Sequence, residues 1–300
     1  MSLKAIQEFE YHAPKTVDEA LKLLAEYGET AKIMAGGTDL IPKMKGGAAK
    51  PQHLISIKGI EELHFIEYDE EKGLRFGACV PLTQLERHPA VLENYPALAE
   101  GCHLIASTQI RNAGTAVGNI CNAVPSADSA PSMLALEAEL RICSARQERW
   151  VPIHEFFTGV CKTILAPDEL VTEVRIPAKK ANEESIYFGF TLRKALDLAM
   201  VGVAANLGME NGICTKARIS LGAVAITPKR AFGAESLLEG KKITPELADE
   251  AGLYASQNDC SPITDMRASA EYRREIVHVL VRDAILITAG MKERGHALYE

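Results

Sequence analysis

The sequence predicts an α+β chain with an α/β start, an antiparallel middle and a C-terminal sheet covered by helices. Three observations carry this. A capped amphipathic helix near the N-terminus leads to a strand, a double glycine and a second strand. A hairpin pattern at 65–78 is followed by two helical stretches. From about residue 187, three strand patterns precede three helical ones, which is the order of a meander with helices packed on one face. The 300 residues exceed the usual size of one domain. The polar, lysine-bearing stretch 177–184 is the best boundary. The expected units are 1–58, 59–177 and 185–300.

In chain order, Thr16-Val17-Asp18-Glu19 reads as a capping box, with Thr16 as N-cap and Glu19 reaching back. The helix that it opens has Val17, Ala20, Leu21, Leu24 and Ala25 on one face and ends near Gly28. Strands are expected at 32–35 and 53–57, with Gly36-Gly37-Thr38-Asp39 and then Leu40 and Ile41 between them. Segments 65–68 and 74–78 form a hairpin around the polar turn 69–73. Helices follow at 82–87 and 96–105. The stretch 107–130, STQIRNAGTAVGNICNAVPSADSA, shows little helix or strand periodicity. Its isolated apolar residues let it pack, so it is expected to be an ordered, polar, backbone-rich loop surrounding a ligand. A helix at 132–138 and strands at 139–143 and 170–176 come next. Beyond the boundary, strands are expected at 187–192, 201–207 and 217–224, and helices at 231–238, 244–256 and 268–292. Thr244 caps the second helix, with Pro245 in its first turn. The last should bury Ile276, Val279, Leu280, Ala284 and Ile285, and Gly295 should end it.

Composition excludes several functions. A net charge of −7 opposes nucleic-acid binding, which needs a basic face. No stretch reaches the ~20 apolar residues of a membrane span, and no signal-peptide core is present. The chain is expected in the cytoplasm. Seven widely spaced cysteines without a Cys-x-x-Cys pair give no support to zinc ribbons or iron–sulfur clusters; they read as buried small hydrophobes. The eight histidines are scattered, without H-E-x-x-H, and no metal site is expected. Neither a G-x-G-x-x-G after a strand, a Walker A sequence nor a G-x-S-x-G elbow occurs.

Two glycine- and hydroxyl-bearing segments remain, 33–40 and 115–128. Successive amides in turns form concave nests for anions, and glycine permits close approach to a phosphate. Thr38 and Thr115 add hydroxyls, Asn119 an amide, and Asp128 an acceptor for ribose hydroxyls. Together they suit a pyrophosphate held by neutral dipoles without a nearby lysine. On these residues alone, two ordinary loops with glycine only for its turns explain the pattern at least as well.

MAGGTDL (34–40) and QIRNAGTAVGNICNAVPSADSAP (109–131) together resemble the flavin-binding subunit of molybdenum hydroxylases, the family of xanthine, carbon monoxide and nicotinate dehydrogenases. The resemblance runs through the chain, including EFEYHAPKTVDEALKLLAEYG near the start, DELVTEVRIP (168–177) and LRKALDLAMVG (192–202). It implies a two-subdomain FAD-binding fold of the vanillyl-alcohol-oxidase type, with a C-terminal α+β domain closing over the flavin. By position, Ile33, Met34, Ala35, Gly36, Gly37, Thr38, Asp39 and Leu40 would wrap the pyrophosphate and ribityl chain. Thr115, Gly118 and Asn119 would complete the phosphate site, and Asp128 would hold the adenosine ribose. Ile105 and Leu170 would contact the isoalloxazine ring, while Arg193 and Lys194 lie in a segment facing the flavin.

The implied role is electron relay. Electrons would come from the [2Fe–2S] clusters of a partner subunit and pass through FAD to NAD⁺ or another acceptor. Hydroxylation would occur on a large molybdopterin subunit, so no catalytic residue is expected in this chain. Two positions depart from the family pattern. Val117 stands where a glycine is usual, and a β-branched residue disfavours positive φ, so extended backbone or an altered phosphate loop is expected. Gly189 stands where many members carry a lysine near the flavin ring, and loss of that cation would lower the flavin potential. Two other readings stay open: a self-contained flavin oxidase of the same fold, and a flavin-free docking subunit.

Overall fold

The structure, a computed structural model, describes residues 6–193 and 196–293. Its first unit is a parallel sheet with one helix on it. β1 (Glu10–His12) leads into α1 (Val17–Tyr27). Thr16 Oγ1 accepts from the Glu19 amide at 3.2 Å. The Glu19 carboxylate reaches back one residue further than a standard capping box, to the Lys15 amide at 2.7 Å. Ala20, Leu21 and Leu24 are buried, Val17 is half-buried, and Ala25 is exposed. Gly28, at φ +50°, ends the helix. β2 (Ala31–Met34), α2 (Leu40–Lys45) and β3 (His53–Ser56) follow. The strands lie in the order β1-β3-β2, all parallel. Leu40 and Ile41 therefore open a helix, so the turn at 36–39 hands the chain from a strand end to a helix start.

β4 (Ile66–Asp69) and β5 (Gly73–Gly77) form the expected hairpin. Asp69 Oδ1 nucleates its turn by accepting from the amides of Glu71 and Lys72, both at 2.9 Å. α3 (Leu82–Arg87), α4 (Pro89–Asn94) and α5 (Pro96–His103) succeed one another. α4 was not expected; prolines at the starts of α4 and α5 restart the helix instead of ending the pattern.

The expected loop 107–130 is largely helical. It contains α6 (Thr108–Arg111), α7 (Ala116–Asn122) and the start of α8 (Ser129–Ala135). Its hydroxyl residues are caps: Ser107 Oγ accepts from the Ile110 amide at 3.4 Å and Thr115 Oγ1 from the Gly118 amide at 2.9 Å. Helices of one or two turns are too short to display a 3.6-residue period, which is why the composition read as loop. α8 starts three residues before its expected beginning, with Pro131 tolerated in its first turn.

β6 (Glu139–Cys143), β7 (Glu148–Pro152), a small ribbon of β8 (Phe157–Gly159) and β9 (Lys162–Thr163), and β10 (Leu170–Ile176) follow. β10 is central in an antiparallel sheet of order β4-β5-β10-β6-β7. One apolar core, from Ala20 to Ile176, joins this sheet to the parallel one.

A second antiparallel sheet contains β11 (Glu183–Phe190), β12 (Val201–Glu210), β13 (Ile213–Gly222) and β14 (Lys229–Arg230), in that order. Covering it are α9 (Phe232–Leu238), α10 (Pro245–Tyr254) and α11 (Ala270–Thr288), with a core of its own. α11 buries Val277, Leu280, Val281, Ala284 and Ile285, whereas Ile276 and Val279 are half-buried, so its inner face is rotated from the expected one. Gly295 lies outside the described residues. On the other face of this sheet, α5 packs on β11 and α8 on β12 and β13. Five cysteines are buried as expected; Cys121 is half-buried and Cys161 exposed. Among the described residues, no helix is long and apolar enough to cross a membrane.

Candidate functional site

A cleft of about 750 Å³ runs between the parallel sheet, α7 and the segment 196–198, a size typical of small-molecule and cofactor sites. Residues 33–40 form one wall, with Thr115, Gly118, Asn119, Asp128, Ile105 and Leu170 elsewhere on its lining. The first turn packs directly on Ala113 and Gly114, the residues just before the second segment. A Cβ added to Gly36 would lie 2.0 Å from the Ala113 carbonyl oxygen and 2.8 Å from the Gly114 Cα. One added to Gly114 would lie 3.2 Å from Thr38 Oγ1. Gly37, at φ +71°, turns the chain into α2. Its carbonyl accepts from the Ile41 amide at 3.0 Å, but among the described residues no acceptor is found for the amides of residues 36–40. Five successive amides without an acceptor among the described residues therefore line the cleft at a helix start, the arrangement from which anion-binding concavities are built.

The second wall differs from the expectation. The Gly118 amide is consumed by Thr115 Oγ1 at 2.9 Å and the Asn119 amide by the Thr115 carbonyl at 2.9 Å. Donors still available there include the Thr115 hydroxyl hydrogen and the Asn119 side-chain NH₂, since Asn119 Oδ1 accepts from Ser129 Oγ at 2.7 Å. Val117 is neither extended nor at positive φ. It sits in the first turn of α7 with 5% exposure, packed in the core.

Asp128 is buried at the cleft wall, and Tyr187 on β11 donates its hydroxyl to Asp128 Oδ1 at 2.7 Å. Burial pushes the Asp128 carboxyl up to about 6, against the opposing effect of the Tyr187 hydrogen bond. Burial and the neighbouring Asp128 charge raise the Tyr187 phenol. The C-terminal sheet thus fixes an acceptor at the edge of the cleft. Tyr187 was missed, since its sequence signal was only that of a strand residue.

Lys43 was missed as well, and it overturns the expectation of a site without lysine. It lines the cleft one turn into α2, and its ammonium donates to Asn122 Oδ1 on α7. The helix opening at Leu40, where the sequence suggests a connection between strands, places residue 43 one turn along it and against α7.

Ile105 and Leu170 form part of the apolar lining. Ile105 is held from behind: Arg111 Nη1 donates to its carbonyl at 3.0 Å, next to Ala106 at φ +47°. Arg111 Nε lies 2.7 Å from Glu86 Oε2 in a buried ion pair, too bent to count as a hydrogen bond. Gly189 lies on β11, where an added Cβ would sit 3.0 Å from Leu104 Cδ1, so Leu104 occupies the room that a side chain there would need. Arg193 is not part of the wall. It is exposed, bonded to the Leu196 carbonyl at 3.2 Å and paired with Asp197 at 3.3 Å. Lys194 lies outside the described residues.

Residues 7–179 match the family described as FAD binding domain in molybdopterin dehydrogenase, and 186–288 that of the CO dehydrogenase flavoprotein C-terminal domain. The chain belongs to the FAD-binding subunits of the molybdenum hydroxylases. The xanthine dehydrogenase FAD-binding subunit of Escherichia coli O157:H7 is 33% identical, the match covering 92% of this chain and 94% of that one. The carbon monoxide dehydrogenase medium chain of Hydrogenophaga pseudoflava is 37% identical over 92% of this chain and 96% of its own length. A solved carbon monoxide dehydrogenase from that organism superposes with a TM-score of 0.92 at 35% identity, covering 96% of this chain and 99% of that one. The molybdenum hydroxylase flavoprotein architecture therefore extends over essentially the whole chain, with the two-subdomain FAD fold followed by its C-terminal α+β domain.

Proposed function

We propose that this chain is the electron-relay subunit of a multi-subunit molybdenum hydroxylase, carrying FAD in the cleft between its two turns. Electrons would enter from the [2Fe–2S] clusters of one partner, supplied by turnover on a large molybdopterin partner, and leave to NAD⁺ or another acceptor. The observation that carries the reading is the run of five amides at 36–40 with no acceptor among the described residues, pressed against the Ala113–Gly114 turn. A Cβ at Gly36 would force these two walls apart, as expected of a cradle built for backbone contact with a diphosphate.

Bound FAD would supply the redox chemistry, taking up electrons and passing them on. The residues of this chain bind and orient it. The amides of 36–40 donate to diphosphate oxygens, joined by the hydroxyls of Thr38 and Thr115 and the Asn119 NH₂. Lys43 adds the positive charge for which α7 alone has no counterpart. Asp128, held by Tyr187, accepts from the ribose hydroxyls. Ile105 and Leu170 give the flavin ring an apolar bed that limits water. Arg193 stays in its own turn with Asp197, outside these contacts.

Purified protein tests this reading. It should carry one FAD per chain, released by heat, and turn over no small substrate alone. Its flavin should be reduced when the partner subunits and their substrate are added. Protein without flavin-binding capacity would leave only a docking role, and substrate oxidation by the chain alone would make it an oxidase.

A further inference from the structure

At the edge of the parallel sheet, far along the chain from the second turn of the cleft, three side chains converge. Glu10 and His12 are two apart on β1 and so share a face, and β3 places His53 directly opposite Glu10. His12 Nε2 lies 3.2 Å from His53 Nδ1. Glu10 Oε2 lies 3.4 Å from His53 Nδ1 and 3.9 Å from His12 Nε2. Bonds of about 2.1 Å to one ion put neighbouring ligands about 3.4 Å apart in a tetrahedron and about 3.0 Å apart in an octahedron. Two of the observed edges, 3.2 and 3.4 Å, fall in that range and the third, 3.9 Å, is wider. A single point still lies about 2.1 Å from all three atoms, the bond length expected for such an ion.

We infer that Glu10, His12 and His53 form a binding site for a divalent transition-metal ion that staples the edge strand β1 to β3. Hydrogen bonding alone accounts for the cluster incompletely. If the two neutral rings bond to each other, one N–H is shared between them and nothing is donated to the carboxylate oxygen beside both. One cation satisfies all three acceptors at once. The ring positions are set from outside the cluster: Tyr27 stacks on His53 with centroids 3.7 Å apart and planes 6° apart, and also stacks on His12 at 5.1 Å.

The donor set selects the ion. Two imidazoles and one carboxylate suit Zn²⁺, Co²⁺, Ni²⁺ or Cu²⁺, whereas Mg²⁺ and Ca²⁺ favour all-oxygen shells. Glu10 is 72% exposed at its side chain, so the remaining coordination positions face solvent and take water. The site is independent of how the cleft is read. It staples a three-residue edge strand at the start of the sheet whose β2 leads into residues 36–40.

The test is titration of the untagged full-length chain with Zn²⁺ by calorimetry and with Co²⁺ by visible absorption. The expected result is one equivalent per chain, tetrahedral-type Co²⁺ bands, and a Tm that rises with Zn²⁺. His12→Ala and Glu10→Gln, both near the surface, should each weaken binding at least tenfold while leaving flavin content unchanged. Cys161→Ser, which removes the exposed thiol, should leave metal binding intact. Absence of saturable binding would overturn the proposal, as would binding that survives H12A and E10Q or disappears with C161S.

Discussion

Replacing Gly36 by alanine separates the proposed cradle from an ordinary pair of turns. The new Cβ would lie 2.0 Å from the Ala113 oxygen, 2.6 Å from its carbonyl carbon and 2.8 Å from the Gly114 Cα. All three atoms are backbone, so no rotamer change relieves the clash. Cβ contacts essentially never fall below 3.0 Å, so the walls must part by about 1 Å. Charge-assisted hydrogen bonds from amides to a phosphate are each worth about 1.5–3 kcal/mol. Losing one of them lowers FAD affinity by on the order of tenfold to a hundredfold. Gly37→Ala is the comparison. Its Cβ would meet the flexible Met34 Sδ at 3.1 Å, and the penalty comes from φ +71°, about 1–2 kcal/mol of local strain. The assay is FAD titration of apoprotein by flavin fluorescence, alongside the apoprotein Tm to separate binding from folding. Gly36→Ala should lose the larger share of affinity. Equal FAD binding by wild type and G36A would refute the close-approach reasoning.

Other expectations follow from the same contacts. Tyr187→Phe strands the buried Asp128 carboxylate without its 2.7 Å donor, which should cost about 1–3 kcal/mol, read by denaturant unfolding and by weakened FAD binding. Because burial raises the folded Asp128 pKa to about 6, the folded apoprotein holds this proton more tightly than the unfolded chain. Its contribution to stability is therefore full below the unfolded pKa of about 3.9 and lost as pH rises towards about 6. Asp128→Asn should flatten that part of the apoprotein stability profile. FAD affinity should move the other way, rising through pH 6 as the carboxylate becomes available to ribose hydroxyls. Removing one partner of the buried Glu86–Arg111 pair, 2.7 Å apart, should destabilise by about 3–5 kcal/mol, and replacing both by leucine should cost less than either single change. Lys43→Ala should weaken FAD binding somewhat more at low salt than at high, since the attraction of a half-buried cation at an open cleft is partly screened.

Legibility in the sequence followed the length and period of each element. The strands at 139–143 and 170–176 and the helix at 82–87 lie at the very residues expected: the first alternates, the second is rich in β-branched and apolar residues as a central strand is, and the third follows Pro81 with its apolar residues on one side. The stretch 107–130 was misread because its serine and threonine are N-caps of helices only four to seven residues long. Composition cannot distinguish such a cap from a turn. The first glycine turn lines the cleft with its backbone, as its sequence suggested, since glycine signals close approach from one residue alone. The second was located correctly but its donors were not: Gly118 and Asn119 amides serve the helix, and the side chains face the cleft's chemistry instead. Tyr187 and Lys43 enter through tertiary contacts, β11 against the Asp128 segment and α2 against α7. The Glu10–His12–His53 cluster was invisible for the same reason, since its spacing exists only across paired strands.

A structure of the chain with FAD bound decides whether one diphosphate is held between the 36–40 amides and the Thr115 turn. The expected result places diphosphate oxygens about 2.7–3.2 Å from several of those amides and from the Thr115 hydroxyl, with a ribose hydroxyl on Asp128. A diphosphate lying away from the Gly36–Gly37 turn, or a cleft that stays empty at saturating FAD, would contradict it.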